Sequence, residues 1–342
     1  MRGLLLRRLI RANSVAVGFC AGLIFSGPVW ADETKNTGGT FSIQIENDLF
    51  GGDSDRNYTN GVRATWLSAE GDVPVWVSEP ASHVPFFESD GKLRVLFGLG
   101  QNLYTPTDIT VRNLQPNDRP YAGWLYGSVG LVSDNGHILD NLQLDIGVVG
   151  PAAMGSQVQE FVHDLIDTRD PSGWDNQIDN EPGLVLFYER KWRSLYEFGT
   201  FLPGYGVDAT PHAGAALGNV FTYGAAGLTL RFGKNLPADY GPPRIRPSLP
   251  GSSFFISDGS FGWYLFAGIE GRAIARNIFL DGNTFGGSHS VEKNPLVGDL
   301  QIGAAVSWDQ WRLSYTQVYR TREFDTQSND DIFGSVSLSY RF

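Results

Sequence analysis

Two short stretches concentrate the side chains that could do chemistry. In "GSQVQEFVHDLIDT", residues 155 to 168, the apolar residues recur at helical spacing, and Gln159 and His163, four apart, share one face. Neutral imidazole is the side chain best suited to taking a proton from water near neutral pH, so His163 is a candidate general base. The second stretch, "IENDLFGGDSDRNYTNG" at 45 to 61, gathers Glu46, Asp48, Asp53 and Asp55 with Asn47, Asn57, Thr59 and Asn60. Asp48 reads as a ligand for a hard cation such as calcium, which takes carboxylate, amide and backbone oxygens. The spacing does not follow an EF-hand loop, and Asp53 and Asp55 suit an ordinary solvated hairpin. Zinc has no support, since no histidine pair stands at helical spacing. Serine hydrolysis has little, because no G-x-S-x-G occurs.

What must position these residues follows from the ends of the chain. Residues 1–31 have the form of a secretory signal: Arg2, Arg7, Arg8 and Arg11, an apolar run from Val15 to Phe25, and a cleavage site at Val29-Trp30-Ala31. The run is too short to span a bilayer as a helix, which takes about 20 residues. Cleavage before Asp32 removes the sole cysteine, Cys20, and with it any disulfide or thiolate chemistry. It also takes the formal charge from −11 to −15, because four arginines and no acid precede Asp32. Such acidity excludes nucleic acid as a natural partner, whose phosphates call for Lys and Arg. At the other end, "DIFGSVSLSYRF" sets Ile332, Val336, Leu338, Tyr340 and Phe342 against Ser335, Ser337, Ser339 and Arg341. Ending on an aromatic residue, it resembles the C-terminal signal of bacterial outer-membrane barrels.

Residues 32–342 contain no apolar segment long enough for a transmembrane helix, but many of about ten residues with alternating polarity. In "NLQLDIGVV", Leu142, Leu144, Ile146 and Val148 oppose Asn141, Gln143 and Asp145; in "LQIGAAVSW", Leu300, Ile302, Ala304, Val306 and Trp308 oppose Gln301, Gly303 and Ser307. The pattern predicts an all-β fold, a twelve-stranded antiparallel transmembrane β-barrel with a helix in an extracellular loop. The strands are expected at 40–50, 58–69, 92–104, 121–133, 137–149, 183–193, 196–206, 219–232, 260–272, 297–308, 311–323 and 331–342. An even count puts both termini in the periplasm, so segments after odd-numbered strands face outside. The acidic cluster, the segment 114–123 and the loop 150–182 then share the outer rim. His83 and His137 fall on the periplasmic side, and His212 and His289 in other outer loops. The helix is expected to pack on the barrel through Val158, Phe161, Val162, Leu165 and Ile166, holding Gln159 and His163 over the rim. Segments 70–91 and 233–259 are long for periplasmic turns and have no explanation in the sequence.

Four stretches carry a resemblance: "FSIQIENDLF…DRNYTNG", "DRPYAGWLYGSVGL", "GVVGPAAMGSQVQEFVHDLI" and "GWDNQIDNE". In order and spacing they resemble the outer-membrane lipid A 3′-O-deacylases (the LpxR family), over about residues 40 to 342. The resemblance implies a calcium-dependent hydrolase in the outer membrane of a Gram-negative bacterium that removes the 3′-linked acyloxyacyl group of lipid A. The expected partners are lipopolysaccharide and the membrane, and the chain is expected to be a monomer. Carried over, Asn47 and Asp48 match the family's Asn-Asp pair, Thr59 the threonine of its Tyr-Thr-x-Gly stretch, and Gln159 and His163 its helix pair. His163 would be the general base, calcium near Asp48 would polarise the ester carbonyl, and Asp167 and Asp170 are weaker candidate ligands. Trp174 and Gln177 also match and read as structural. A lysine of some members, in the loop after the third strand, has no counterpart; Arg112 and Arg119 are the nearby bases that could meet a phosphate or glycan instead. Rival readings are an outer-membrane phospholipase, a small porin or lipopolysaccharide-binding barrel, and a paralogue that keeps the fold without activity.

Overall fold

The computed structural model of the protein describes residues 38–50, 57–197, 203–237, 239–241, 245 and 259–342. The signal segment, Asp53 and Asp55 lie outside them. Twelve long strands run in chain order: β1 Thr40–Asn47, β2 Asn57–Leu67, β3 Lys92–Thr105, β4 Ala122–Asp134, β5 Ile138–Val149, β6 Glu181–Trp192, β7 Tyr205–Gly218, β8 Phe221–Lys234, β9 Gly259–Asn277, β10 Leu296–Asp309, β11 Trp311–Arg320 and β12 Asp331–Arg341. Each pairs antiparallel with its chain neighbours, and β1 with β12 from Thr40↔Arg341 to Asn47↔Gly334 closes the ring. Three helices interrupt the meander: α1 Val75–Ala81, α2 Gly155–Ile166 and α3 Ile278–Asp281.

Alternation along the strands decides the two faces. On β1, Ser42, Gln44 and Glu46 are buried in the lumen while Phe41 is exposed on the outside. The same holds on β5, β10 and β12: Gln143, Asp145, Ser307, Ser335, Ser337 and Ser339 are buried, and Ile146, Leu300, Ile302, Trp308 and Ile332 are exposed. The outward face is the apolar one, as a bilayer requires.

The expected seventh strand at 196–206 is displaced. The described part of that stretch holds a two-residue strand, Tyr196–Glu197, paired with Asp208 and Ala209, and just the first two residues of the long β7, which begins at Tyr205. Its sequence, rich in alanine and glycine with Pro211 in the middle, lacks strong alternation, and proline argues against a strand where it must donate to the ladder. The shift carries His212 out of the outer loop expected for it. It is buried in the lumen, with Nε2 3.5 Å from a Glu270 carboxylate oxygen. His289 does lie in an outer loop, within hydrogen-bond distance of the Asp118 carbonyl at 2.7 Å.

Both unexplained periplasmic segments have structural work. The first carries α1 up the outer wall, where Ala81 and Phe87 pack on Leu131 with Leu142 and Tyr188 alongside. It is clamped by Arg190, which donates to both Asp140 oxygens at 2.7 Å and to the Phe86 carbonyl. Of the second, Asp239, Tyr240 and Ile245 turn inward. Asp239 accepts from Arg231 and from Arg312 (2.9 Å), the Tyr240 hydroxyl donates to Asp134 at 2.5 Å, and the Ile245 N–H donates to Glu46 at 2.9 Å.

Above these contacts the lumen wall carries paired charges. Arg272 and Arg320 both hold Asp299 at 2.9–3.1 Å, Arg272 also holds Glu270, and Arg119 reaches Glu323 at 3.2 Å. Nearer the outer mouth aromatic side chains take over. Phe279 of α3 stacks on Tyr104 with ring centroids 4.0 Å apart, and Tyr58 meets Tyr104 and Phe333.

Candidate active site

At the outer rim β1 ends on Asn47, and Asp48 opens a single 3-10 turn, Asp48–Phe50, instead of continuing the strand. Both side chains are buried. Opposite, β2 carries a bulge: Tyr58 pairs with Tyr104 and Asn60 with Leu103, so Thr59 is the extra residue. A bulge re-aims side chains that strict alternation would send to opposite faces, and here Tyr58, Thr59 and Asn60 are all buried. The Thr59 and Thr105 hydroxyl oxygens lie 2.6 Å apart.

Helix α2 lies against β3 and β4. It is entered from Met154 and left through Asp167, both left-handed (φ 59° and 56°), so two sharp turns set its short length. Its buried face is not the one the apolar stripe predicts. Gln159 and His163 are buried at 3% and 2% exposure, whereas Phe161 and Leu165 are 56% and 48% exposed. The polar pair can turn inward because each side chain finds a partner there. The Trp174 indole N–H donates to Gln159 Oε1 at 2.8 Å, and His163 Nδ1 lies 2.5 Å from the Arg169 carbonyl oxygen. A carbonyl only accepts, so Nδ1 carries the proton and the imidazole lone pair sits on Nε2.

Asn47, Thr59, Asn60, Leu103, Gln159, Val162 and His163 line one cleft of about 260 Å³, its open mouth included. That volume suits a functional group of a substrate better than a whole lipid. Four of the residues expected at the site, Asn47, Thr59, Gln159 and His163, thus meet across β1, β2 and α2. Asp48, the next residue in the chain, is buried but not in the cleft lining. Asn60, Leu103 and Val162 were missed as lining residues; the first stands in the quoted stretch, while the other two look like ordinary strand and helix apolar positions.

Other residues singled out in the sequence stand apart from the cleft. Glu46 of the acidic cluster faces the lumen, where Ile245 uses it. Asp167 and Asp170 are exposed and outside the cleft lining. Arg119 is buried against Glu323 and the Tyr104 ring, so it is structural and unavailable to a phosphate; Arg112 is exposed, 3.6 Å from Asp175.

A calcium ion is implied by the resemblance, and the chemistry of the buried groups fits one: the Asp48 carboxylate follows Asn47 in the chain, and the Asn47 amide shares the cleft with the Asn60 amide and the Thr59 hydroxyl, all of them oxygen donors. Among the described residues no group of three or more His, Cys, Asp or Glu side chains could hold a metal. A site there would carry little charge, which for calcium means modest affinity.

Comparison with known proteins gives a family and a fold. The family described as "Outer membrane protein LpxR" matches residues 17–342. No curated protein matches in sequence. Among solved structures, LpxR from Salmonella typhimurium is 21% identical, covering 89% of this chain and 100% of its own, with a TM-score of 0.69. The β domain of the Bordetella autotransporter BrkA is 13% identical over 90% of this chain and 100% of its own, at a TM-score of 0.42. At 21% identity the likeness to the Salmonella structure is one of fold.

Proposed function

Since this chain belongs to the LpxR family of outer-membrane proteins, we propose that it is a lipid A 3′-O-deacylase, a carboxylic ester hydrolase acting on lipopolysaccharide. The observation that carries the reading is the meeting of His163 and Gln159 with Asn47 and Thr59 in one rim cleft, with the histidine tautomer set by the Arg169 carbonyl.

His163 Nε2 takes a proton from a water molecule, and the water oxygen bonds to the carbonyl carbon of the 3′ ester. The tetrahedral intermediate collapses by breaking the bond to the sugar oxygen, which recovers the proton from the imidazolium. The products are the free acyloxyacyl acid and lipid A with a 3′ hydroxyl. Asn47, Thr59 and Gln159 supply polar groups around the carbonyl, where fixed dipoles stabilise developing charge without reorganising. Asp48, with oxygens of its neighbours, would hold calcium, which when bound supplies Lewis-acid polarisation of the carbonyl.

The test is mass spectrometry of lipid A incubated with the purified protein, with calcium and with excess chelator. The expected result is loss of one acyloxyacyl mass in calcium only, restored when calcium is returned, and weakened metal dependence in Asp48→Asn. No mass loss in calcium from correctly folded protein overturns the activity; full activity in chelator overturns the metal.

A further inference from the structure

Trp174 lies outside the cleft lining, yet it touches the chemistry through one bond. Its indole N–H is a donor and never an acceptor, so the oxygen of the Gln159 amide must face it, at 2.8 Å. The two ends of an amide are otherwise interchangeable in position; here the indole removes the ambiguity. Nε2 is thereby turned the other way. It is buried, and among the described residues no group accepts from it. A buried amide N–H without a partner costs free energy of the order of a hydrogen bond, and Gln159 lines the cleft beside His163.

The surroundings hold the indole in place. Trp174 packs with Leu103, Tyr121 and Val158, its ring 5.0 Å from that of Tyr121, whose hydroxyl is tied to the Ile109 carbonyl. It also slides under the first turn of α2 because residue 155 is glycine: a Cβ there would stand 2.5 Å from Trp174 Cη2. The indole is therefore fixed before any substrate arrives.

We propose that Trp174 is a positioning residue: it pins the Gln159 amide so that Nε2 donates a hydrogen bond to the carbonyl oxygen of the scissile ester. This rests on the hydrolytic reading above. The donor is unsatisfied in the resting protein and gains its acceptor from the substrate, most strongly when the carbonyl oxygen becomes an oxyanion. Such an interaction speeds turnover more than it tightens binding. A carbonyl oxygen is also the chemically matched occupant, since Nε2 can only donate.

The test is a double-mutant cycle on lipid A hydrolysis, with the full-length protein in detergent: wild type, Trp174→Phe, Gln159→Ala and the double variant. Trp174→Phe keeps an aromatic ring and deletes the N–H. It is expected to lower kcat about tenfold, the order of one neutral hydrogen bond, with KM nearly unchanged. In the Gln159→Ala background the same change is expected to have no further effect, because its target is gone. Equal losses in both backgrounds would show that Trp174 only packs, and an unchanged kcat for Trp174→Phe would overturn the proposal outright. If Trp174→Phe loses its folded, heat-modifiable form, 3-benzothienylalanine incorporated at position 174 repeats the measurement with the ring shape kept and the N–H absent. A wild type that releases no acyl group fails the hydrolase reading and this inference with it; an active wild type with an additive cycle fails the inference alone.

Discussion

At the scale of single residues the proposed mechanism rests on His163 as proton acceptor and on the groups that orient it. His163→Ala should lower turnover by about 10²-fold or more, the usual worth of a positioned general base. The barrel should still fold, because the histidine side chain contacts a loop carbonyl and a rim cleft while the strand ladders are untouched. Rate against pH should rise as the imidazole gives up its proton, since only the neutral ring accepts one from water. Electrophoresis without boiling checks the fold, and initial rates of acyl release check the base. Near-normal turnover in a folded His163→Ala protein would move the base elsewhere.

Secondary-structure elements bring the residues together, and glycine is the sensitive point. Gly155→Ala puts a methyl carbon 2.5 Å from the Trp174 ring. Either the indole or the first turn of α2 must move, and both routes disturb the Gln159 amide. The expected outcome is a several-fold loss of kcat, of the order of one hydrogen bond, with an unchanged heat-modifiable barrel; full activity would mean the helix start is freer than its packing implies. The bulge at Thr59 is the matching device on the other wall. It costs one ladder pairing and in return turns Tyr58, Thr59 and Asn60 toward buried surroundings, so that the aromatic lumen cluster and the cleft are both served by adjacent residues.

For the molecule as a whole, the described lumen is lined by paired charges and aromatic side chains, which argues for a closed barrel over a porin. Asp239 joins Arg231 to Arg312 of a non-adjacent strand, Arg272, Asp299 and Arg320 pair along three consecutive strands of the lumen wall, and the Tyr58–Tyr104–Phe279 stack sits toward the outer mouth. Planar-bilayer recordings should show no steady conductance from the folded protein; reproducible channel steps would mean the lumen is open. Asp239→Ala removes a carboxylate shared by two buried arginines. Removing one partner of a buried ion pair costs about 3–5 kcal/mol, so the temperature at which the barrel loses its unboiled mobility should fall; an unchanged temperature would show that the inward segment contributes little to stability.

The sequence by itself determined the barrel. Period-two alternation, an even number of strands and an aromatic C-terminus are local, and a bilayer leaves only a closed sheet as the way to satisfy the backbone. Parity then assigned the acidic stretch, the 114–123 segment and the helical loop to one rim, and the four-residue spacing put Gln159 and His163 on one face. Only the tertiary structure decided which face of α2 is buried, because the Trp174 N–H and the Arg169 carbonyl that let a polar pair turn inward come from residues later in the chain. It also decided that Arg119 is a lumen ion-pair partner, that His212 sits in a strand beside Glu270, and that Asp239, Tyr240 and Ile245 of a periplasmic segment bond to lumen-facing residues. Each of these depends on a partner far away in sequence, and a lumen whose charges are matched across the ring is written in no single strand.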